Sequence, residues 1–174
     1  PELILKRSAW AVAYWPDFHP EKVLVIGPGG GADLQIAIHW GAKDVLGIEV
    51  NQGLLELMKS KYDDFTGGIF HHPRIQLLPR EGRHWLKSTG EKYDLIQLSG
   101  VDTSTAISSG AYTLVESYLY TVEAFKEFYL HLTDSGKVCI SRYLMIPPRE
   151  SLRLCVLALK ALRELGIKNP SQHI

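Results

Sequence analysis

Short continuous apolar runs alternate along this chain with stretches in which apolar positions recur at helical spacing. The run "KVLVIG" (22–27) predicts a strand buried on both faces, because nothing polar interrupts it. In "ADLQIAIHWG" (32–41), Leu34, Ala37 and Ile38 share a helical face and Gly41 is a plausible stop. "DVLGIEV" (44–50) predicts a second strand, and "QGLLELMKSKYDDF" (52–65) a helix with Leu54, Leu55 and Met58 on one side. "RIQLLP" (74–79) is a third strand, "GRHWLKST" (82–89) a short helix and "YDLIQLS" (93–99) a fourth strand, which runs into the polar loop "GVDTSTAISSG" (100–110). A helical segment over 117–132, the turn "TDSG", a fifth strand "KVCISRY" (137–143) and a strongly apolar helix over 151–165 follow. The polar stripe of that last helix, Arg153, Lys160 and Glu164, is narrow, so most of its surface needs cover. Strand and helix in strict alternation predict a parallel sheet with helices on both faces, an α/β doubly wound Rossmann-like architecture.

Composition narrows this picture. The 174 residues are most simply one domain over 1–174, and 45% hydrophobic with 22% charged residues is ordinary for a soluble globular chain. Lys+Arg and Asp+Glu stand at 19 each, so charge gives no reason to expect a nucleic-acid partner. No apolar run reaches the roughly 18–20 residues of a membrane span, so membrane contact by this piece is not expected. Cys139 and Cys155 lie in apolar segments without a CxxC pattern and read as small core residues in a reducing, cytoplasmic setting. The chain starts at Pro1 and stops at "IKNPSQHI", which reads like the approach to another strand; we expect a fragment of a longer protein with C-terminal strands truncated.

Candidate chemistry centres on "VLVIGPGGGADLQIAIHWGAKDVLGIEVN" (23–51). Gly27, Gly29 and Ala32 fit G-x-G-x-x-G/A between a strand and a helix, where a tight turn and close ligand approach forbid Cβ atoms. Glu49 ends the second strand, roughly 20 residues on, where a carboxylate accepts hydrogen bonds from ribose hydroxyls. Dinucleotide folds share this half. The third strand, Glu81-Gly82 and a short helix, with "YDLIQLS" next, resemble instead a class I S-adenosylmethionine-dependent transferase, in which Glu81 would accept from the adenine amine.

The order "HPEKVLVIGPGGG…GIEVN…HPRIQLLPREGRHWL…EKYDLIQLS…LYTVEAFKEFYLHLTDSGKVCISR" resembles the spermidine/spermine synthase family over about residues 8–143. Members transfer an aminopropyl group from decarboxylated S-adenosylmethionine to a polyamine, and the resemblance implies a sheet beginning 3-2-1-4-5. It implies a nucleoside site at Gly27, Gly29, Gly30 and Gly31 of the loop, Glu49 for the ribose, Glu81-Gly82, and Leu98 at the end of the fourth strand. It also exposes departures. The family loop reads Gly-Gly-Gly-Asp-Gly, and Gly30 stands at the aspartate; the nearest acid, Asp33, lies on the following helix. An Asp-x-x-Asp pattern closes the family's fourth strand, whereas here Leu98 and Val101 take those places, and Asp102, one residue out of register, is the one candidate catalytic acid, able to substitute only if the loop is shifted. An attacking amine needs a carboxylate to bind it and take its proton, which leucine cannot do.

Other constellations read as structural. His39, His71, His72 and His84 show no metal-ligand spacing, so no metal is expected. "TSTAISSG" lacks a nucleophile elbow and reads as a covering loop. Tyr112, Tyr118 and Tyr120, and Trp10, Tyr14 and Trp15, read as packing residues, and Asp94 as structural. The expectation is a domain binding S-adenosylmethionine, decarboxylated S-adenosylmethionine or a related adenosyl ligand. It would be a divergent transferase, methyl more readily than aminopropyl, or catalytically silent. An NAD(P)-binding oxidoreductase domain and a structural domain with a vestigial site stay open, and a homodimer is the assembly allowed for.

Overall fold

Five strands form one parallel sheet in the order β3-β2-β1-β4-β5. They are β1 (Lys22–Ile26), β2 (Asp44–Glu49), β3 (Ile75–Pro79), β4 (Tyr93–Ser99) and β5 (Leu132–Ser141). The computed structural model describes residues 2–100, 118–142 and 146–174, with the side chains of 2–4 left aside. Asp102, Val101, Tyr112 and all but the first residue of the predicted polar loop lie outside the described residues.

The pleat explains the two-layered core. Val23, Val25, Val45 and Leu95 point to one face, where they meet Tyr14, Leu34, Ile36, Leu55 and Met58. Leu24, Ile26, Leu46, Ile48, Ile96 and Leu98 point to the other, against Leu86, Phe125, Phe128, Ala158 and Ala161. Burial on both faces is why these strands read as unbroken apolar runs. Helices α1 (Glu2–Arg7), α2 (Ala32–His39) and α3 (Gln52–Ser60) contribute to the first layer, and α4 (Gly82–Ser88), α5 (Val122–Leu130) and α6 (Arg149–Glu164) to the second.

Several predicted elements change length for local reasons. Helix α3 stops at Ser60 instead of Phe65; Gly67 and Gly68 adopt left-handed backbone, and a 3₁₀ turn over Ile69–His71 buries Ile69 and Phe70. Strand β5 starts five residues early, at Leu132, because Thr133–Gly136 bulge out between the pairs Tyr93–Leu132 and Leu95–Lys137. The N-terminal segment forms a 3₁₀ turn over Ala9–Tyr14 that the apolar pattern did not signal. Of its aromatics only Tyr14 packs fully; Trp10 and Trp15 are 43% and 55% exposed, which corrects the expectation of core packing for both. Tyr120 is buried, whereas Tyr118 is exposed. Cys155 also departs from the core reading, lying exposed on α6, while burial pushes the half-buried Cys139 thiol up to about 11.

Asp94 fastens the amino ends of three strands, in keeping with the structural role expected of it. Its Oδ2 accepts from the backbone N–H groups of Glu21 (3.0 Å) and Lys22 (2.9 Å), and its Oδ1 from the Thr133 hydroxyl (2.9 Å). Helix α6 confirms its need for cover, since Leu152 and Val156 remain mostly exposed beside a groove of about 880 Å³ between β5, α5 and α6. No helix among the described residues is long and apolar enough to cross a membrane.

Candidate functional site

The glycine loop joins β1 to α2 at the carboxyl edge of the sheet, next to the end of β2. Gly27, Gly29 and Gly31 have φ of 71°, 49° and 87°, and every described residue with positive φ is glycine. These three positions therefore need glycine for the backbone alone. At Gly31 space adds a second reason, because a Cβ would lie 2.9 Å from Phe70 Cε2 and 3.0 Å from Ile69 Cγ2. Gly30 is different. Its φ lies outside the left-handed region, and a Cβ there would meet no atom within 4 Å. The backbone does not require glycine at the position where the resemblance expects an acid.

The loop is closed by Gly31 N–H donating to Pro28 O (2.7 Å), and Gly27 N–H donates to Ile48 O on β2 (2.8 Å). Helix α2 then begins at Gly31 with no side-chain cap, which leaves its first-turn N–H groups to a ligand or solvent. The other helices around the site are capped. Asn51 Oδ1 accepts from Leu54 N–H (3.1 Å) at the start of α3, and Glu81 caps α4.

Glu49 ends β2 and is only 8% exposed, and its Oε1 accepts from Asn51 N–H (3.0 Å). That bond holds the carboxylate at the strand end and leaves its other oxygen for a further donor. Glu81 has more fixed duties: Oε1 accepts from Arg83 N–H (2.9 Å) and Oε2 from His84 N–H (2.7 Å). Both oxygens retain a second lone pair, so capping orients this carboxylate without exhausting it. Gly82 brings α4 onto β1, since a Cβ there would lie 2.7 Å from Ile26 Cγ2.

Strand β4 distributes its last residues in a way the sequence did not reveal. Leu98 is wholly buried in the apolar layer with Leu46, Ile48 and Leu86. Gln97 points to the opposite face, where it organises a buried polar cluster. Its Nε2 faces Asp33 Oδ1 (2.9 Å), Trp10 O (2.9 Å) and Ser99 Oγ (3.2 Å), and its Oε1 accepts from the Tyr14 hydroxyl (3.2 Å). The Ser99 hydroxyl also bonds the Asp33 carboxyl. Burial pushes Asp33 up to about 7, and the bonds from Ser99 and Gln97 only partly oppose that rise. The one mark of Gln97 in the sequence is that it is a lone polar residue between Leu95-Ile96 and Leu98.

The structure thus brings together Gly27, Gly29, Gly31, Glu49 and the Glu81-Gly82 pair around the ends of β1, β2 and β3, and adds Asp33 and Ser99 on the β4 side. Among the described residues no group of three His, Cys, Asp or Glu side chains is placed to hold a metal ion.

Comparison with known proteins agrees with this geometry. The sequence profile of the spermine/spermidine synthase domain matches residues 6–151. A polyamine aminopropyltransferase of Korarchaeum cryptofilum is 34% identical over 84 residues, 48% of this chain and 26% of that protein. One from Thermococcus onnurineus is 27% identical over 122 residues, 69% of this chain and 42% of that protein. A crystal structure of spermidine synthase in complex with the transition-state analogue AdoDATO superposes with a TM-score of 0.62 at 20% identity, over 83% of this chain and 46% of that one. Spermidine synthase from Thermotoga maritima superposes with a TM-score of 0.61 at 19% identity, over 83% and 45%. The chain spans less than half the length of each of these proteins.

Proposed function

The chain belongs to the spermine/spermidine synthase family, and from that premise we propose that it holds an adenosyl sulfonium compound at the glycine loop. The ligand is S-adenosylmethionine or its decarboxylated form. The backbone of Gly27, Gly29, Gly30 and Gly31 approaches it, Glu49 accepts from the ribose hydroxyls, and Glu81-Gly82 flank the adenine. Leu98 forms part of the apolar floor behind the site. The observation that carries this reading is the run of three left-handed glycines opening an uncapped helix, with Glu49 at the adjacent strand end.

Chemistry at such a site is alkyl transfer from sulfur to an acceptor, in which the protein chiefly aligns the sulfonium carbon with the nucleophile. Methyl transfer asks less of the side chains than aminopropyl transfer, whose amine nucleophile must first lose a proton. A domain that binds without turnover is the second reading, favoured by Gly30, which carries no acid, and by Leu98, which is sealed in the core.

A thermal-shift panel of S-adenosylmethionine, decarboxylated S-adenosylmethionine, methylthioadenosine and NAD tests the proposal. A ligand at ~100 times its Kd stabilises the native state by about 2.7 kcal/mol, and the melting temperature must rise. Stabilisation by NAD alone sinks the adenosyl sulfonium reading, and no shift with any ligand favours a vestigial site. Catalysis is read separately, by incubating each donor with a polyamine and following release of the thioether product.

A further inference from the structure

Strand β5 ends the sheet. β4 pairs with it on one side, and among the described residues no strand pairs with the other. Ser141 O accepts from Gly100 N–H (3.1 Å), so the peptide groups of Cys139 and Ser141 face β4, and alternation turns those of Val138 and Ile140 outward. Sheet edges are usually guarded by a lysine, a proline or a bulge. Here the bulge over Thr133–Gly136 comes before the open stretch, and the Lys137 ammonium lies over the Phe18 ring, 4.1 Å from its centroid. Val138–Ser141 carries neither charge nor proline, so this edge is unguarded.

The space beside the edge is apolar. Val138 and Ile140 point to the layer that holds α5 and α6, and α6 packs chiefly on α5. The open groove of about 880 Å³ therefore lies between β5 and α6, walled by Val138, Ile140, Leu154 and Ala158, with the exposed Cys155 also lining it. Twenty described residues line this groove, enough for one side of a standard interface, which takes roughly 20–30.

An occupant must offer two things together: an unpaired strand edge, and apolar side chains on the α6 side of that edge. β5 itself meets both conditions. A two-fold axis beside Cys139 runs a second β5 antiparallel to the first, with Val138 opposite the partner's Ile140. In that register the outward peptide groups of both strands find partners, and each α6 overhangs the apolar side chains of the other β5. The same patch serves both subunits, as a closed two-fold interface requires.

We infer that the open edge of β5 and the groove under α6 form a homodimer interface, through which two copies of this chain join their five-stranded sheets edge to edge. This interface is independent of what the glycine loop holds.

Sedimentation velocity and NMR amide exchange on the 174-residue chain test it. The mass should rise with concentration from 19.5 kDa to twice that value, with a midpoint below ~100 µM. The amides of Val138 and Ile140 should exchange fast in the monomer and slowly in the dimer, while those of Cys139 and Ser141 stay protected in both. This readout needs no variant. Cys155→Glu puts a charge where the monomer is exposed and the dimer is covered, and should weaken association by about a hundredfold or more. Ile140→Pro deletes an outward N–H that β4 does not use, and should weaken association by roughly tenfold. A chain that stays monomeric at every concentration overturns the inference, as does a dimer that neither substitution weakens. Protection of Val138 and Ile140 that does not vary with concentration means that one chain covers its own edge. Protection gained by a monomer only from an added apolar strand peptide assigns the edge to a foreign segment. Either of these results also overturns the inference.

Discussion

Gln97 Nε2 stands 2.9 Å from Asp33 Oδ1, joining the fourth strand to the first turn of the helix that the glycine loop begins. Both side chains are buried, and the same glutamine is tied to Tyr14 and to the Trp10 carbonyl. One amide therefore links the N-terminal segment, the sheet and the candidate ligand site. Removing it should be felt in all three. Gln97→Leu leaves the Tyr14 hydroxyl and part of the Asp33 carboxyl buried without partners, and should lower stability by about 2–3 kcal/mol in urea unfolding. Tyr14→Phe deletes one neutral bond and should lower it by about 1 kcal/mol. Equal effects of the two substitutions would mean that the amide is not the centre of the cluster.

Asp33 and Asp94 should shape the pH dependence of stability in opposite directions. Asp33 is raised by burial, from the usual 3.8 to about 7. Its contribution is complete below about pH 4 and lost as pH climbs through about 7. For Asp94, burial pushes upward, but the bonds from Lys22 N–H, the Thr133 hydroxyl and Glu21 N–H outweigh it and hold the group below its usual value. Its contribution is present above the usual carboxylate value and disappears as pH falls through the lowered one. Urea midpoints of wild type and Asp33→Asn between pH 4 and 8 check this. The wild type should lose ground to the variant across that range, and a constant difference would contradict the assignment.

Within the glycine loop, neighbouring positions should respond unequally to alanine. Gly31→Ala forces a Cβ into a left-handed backbone and against Phe70 and Ile69, and should cost about 2 kcal/mol or more. Gly30→Ala meets open space and should change stability by no more than about 0.5 kcal/mol. Chemical denaturation of the two variants side by side is sufficient. Gly30 is consequently the position at which an acid can be introduced without disturbing the fold.

The two glutamates should separate binding from folding. Glu49→Ala removes the proposed ribose acceptor and should weaken methylthioadenosine binding by about 10- to 100-fold, the range for a hydrogen bond to a charged group. Glu81→Ala also removes the cap of α4 and should cost about 1 kcal/mol of stability in the ligand-free protein. Calorimetric titration beside thermal unfolding distinguishes them. Unchanged methylthioadenosine affinity in Glu49→Ala would rule out the ribose role.

The amino-acid sequence by itself determined the strand–helix alternation, the parallel sheet and the place of the glycine loop. Those features rest on local periods: unbroken apolar runs where a strand is covered on both faces, and glycine where φ must be positive. It also carried the family resemblance, because "VLVIGPGGG", "GIEVN" and "YDLIQLS" are contiguous motifs. Tertiary structure alone decided what the polar side chains around the loop do. Glu81 reads as a ligand contact in sequence, and only folding shows its further duty, accepting from two backbone amides of its own helix. Leu98 and Gln97 are adjacent in the chain, and only the pleat of β4 sends one into the apolar layer and the other onto Asp33. Asp33 and Gln97 are 64 residues apart, and no local pattern records their meeting. It arises because α2 packs on the face of the sheet to which Gln97 points, with β1 and β4 side by side.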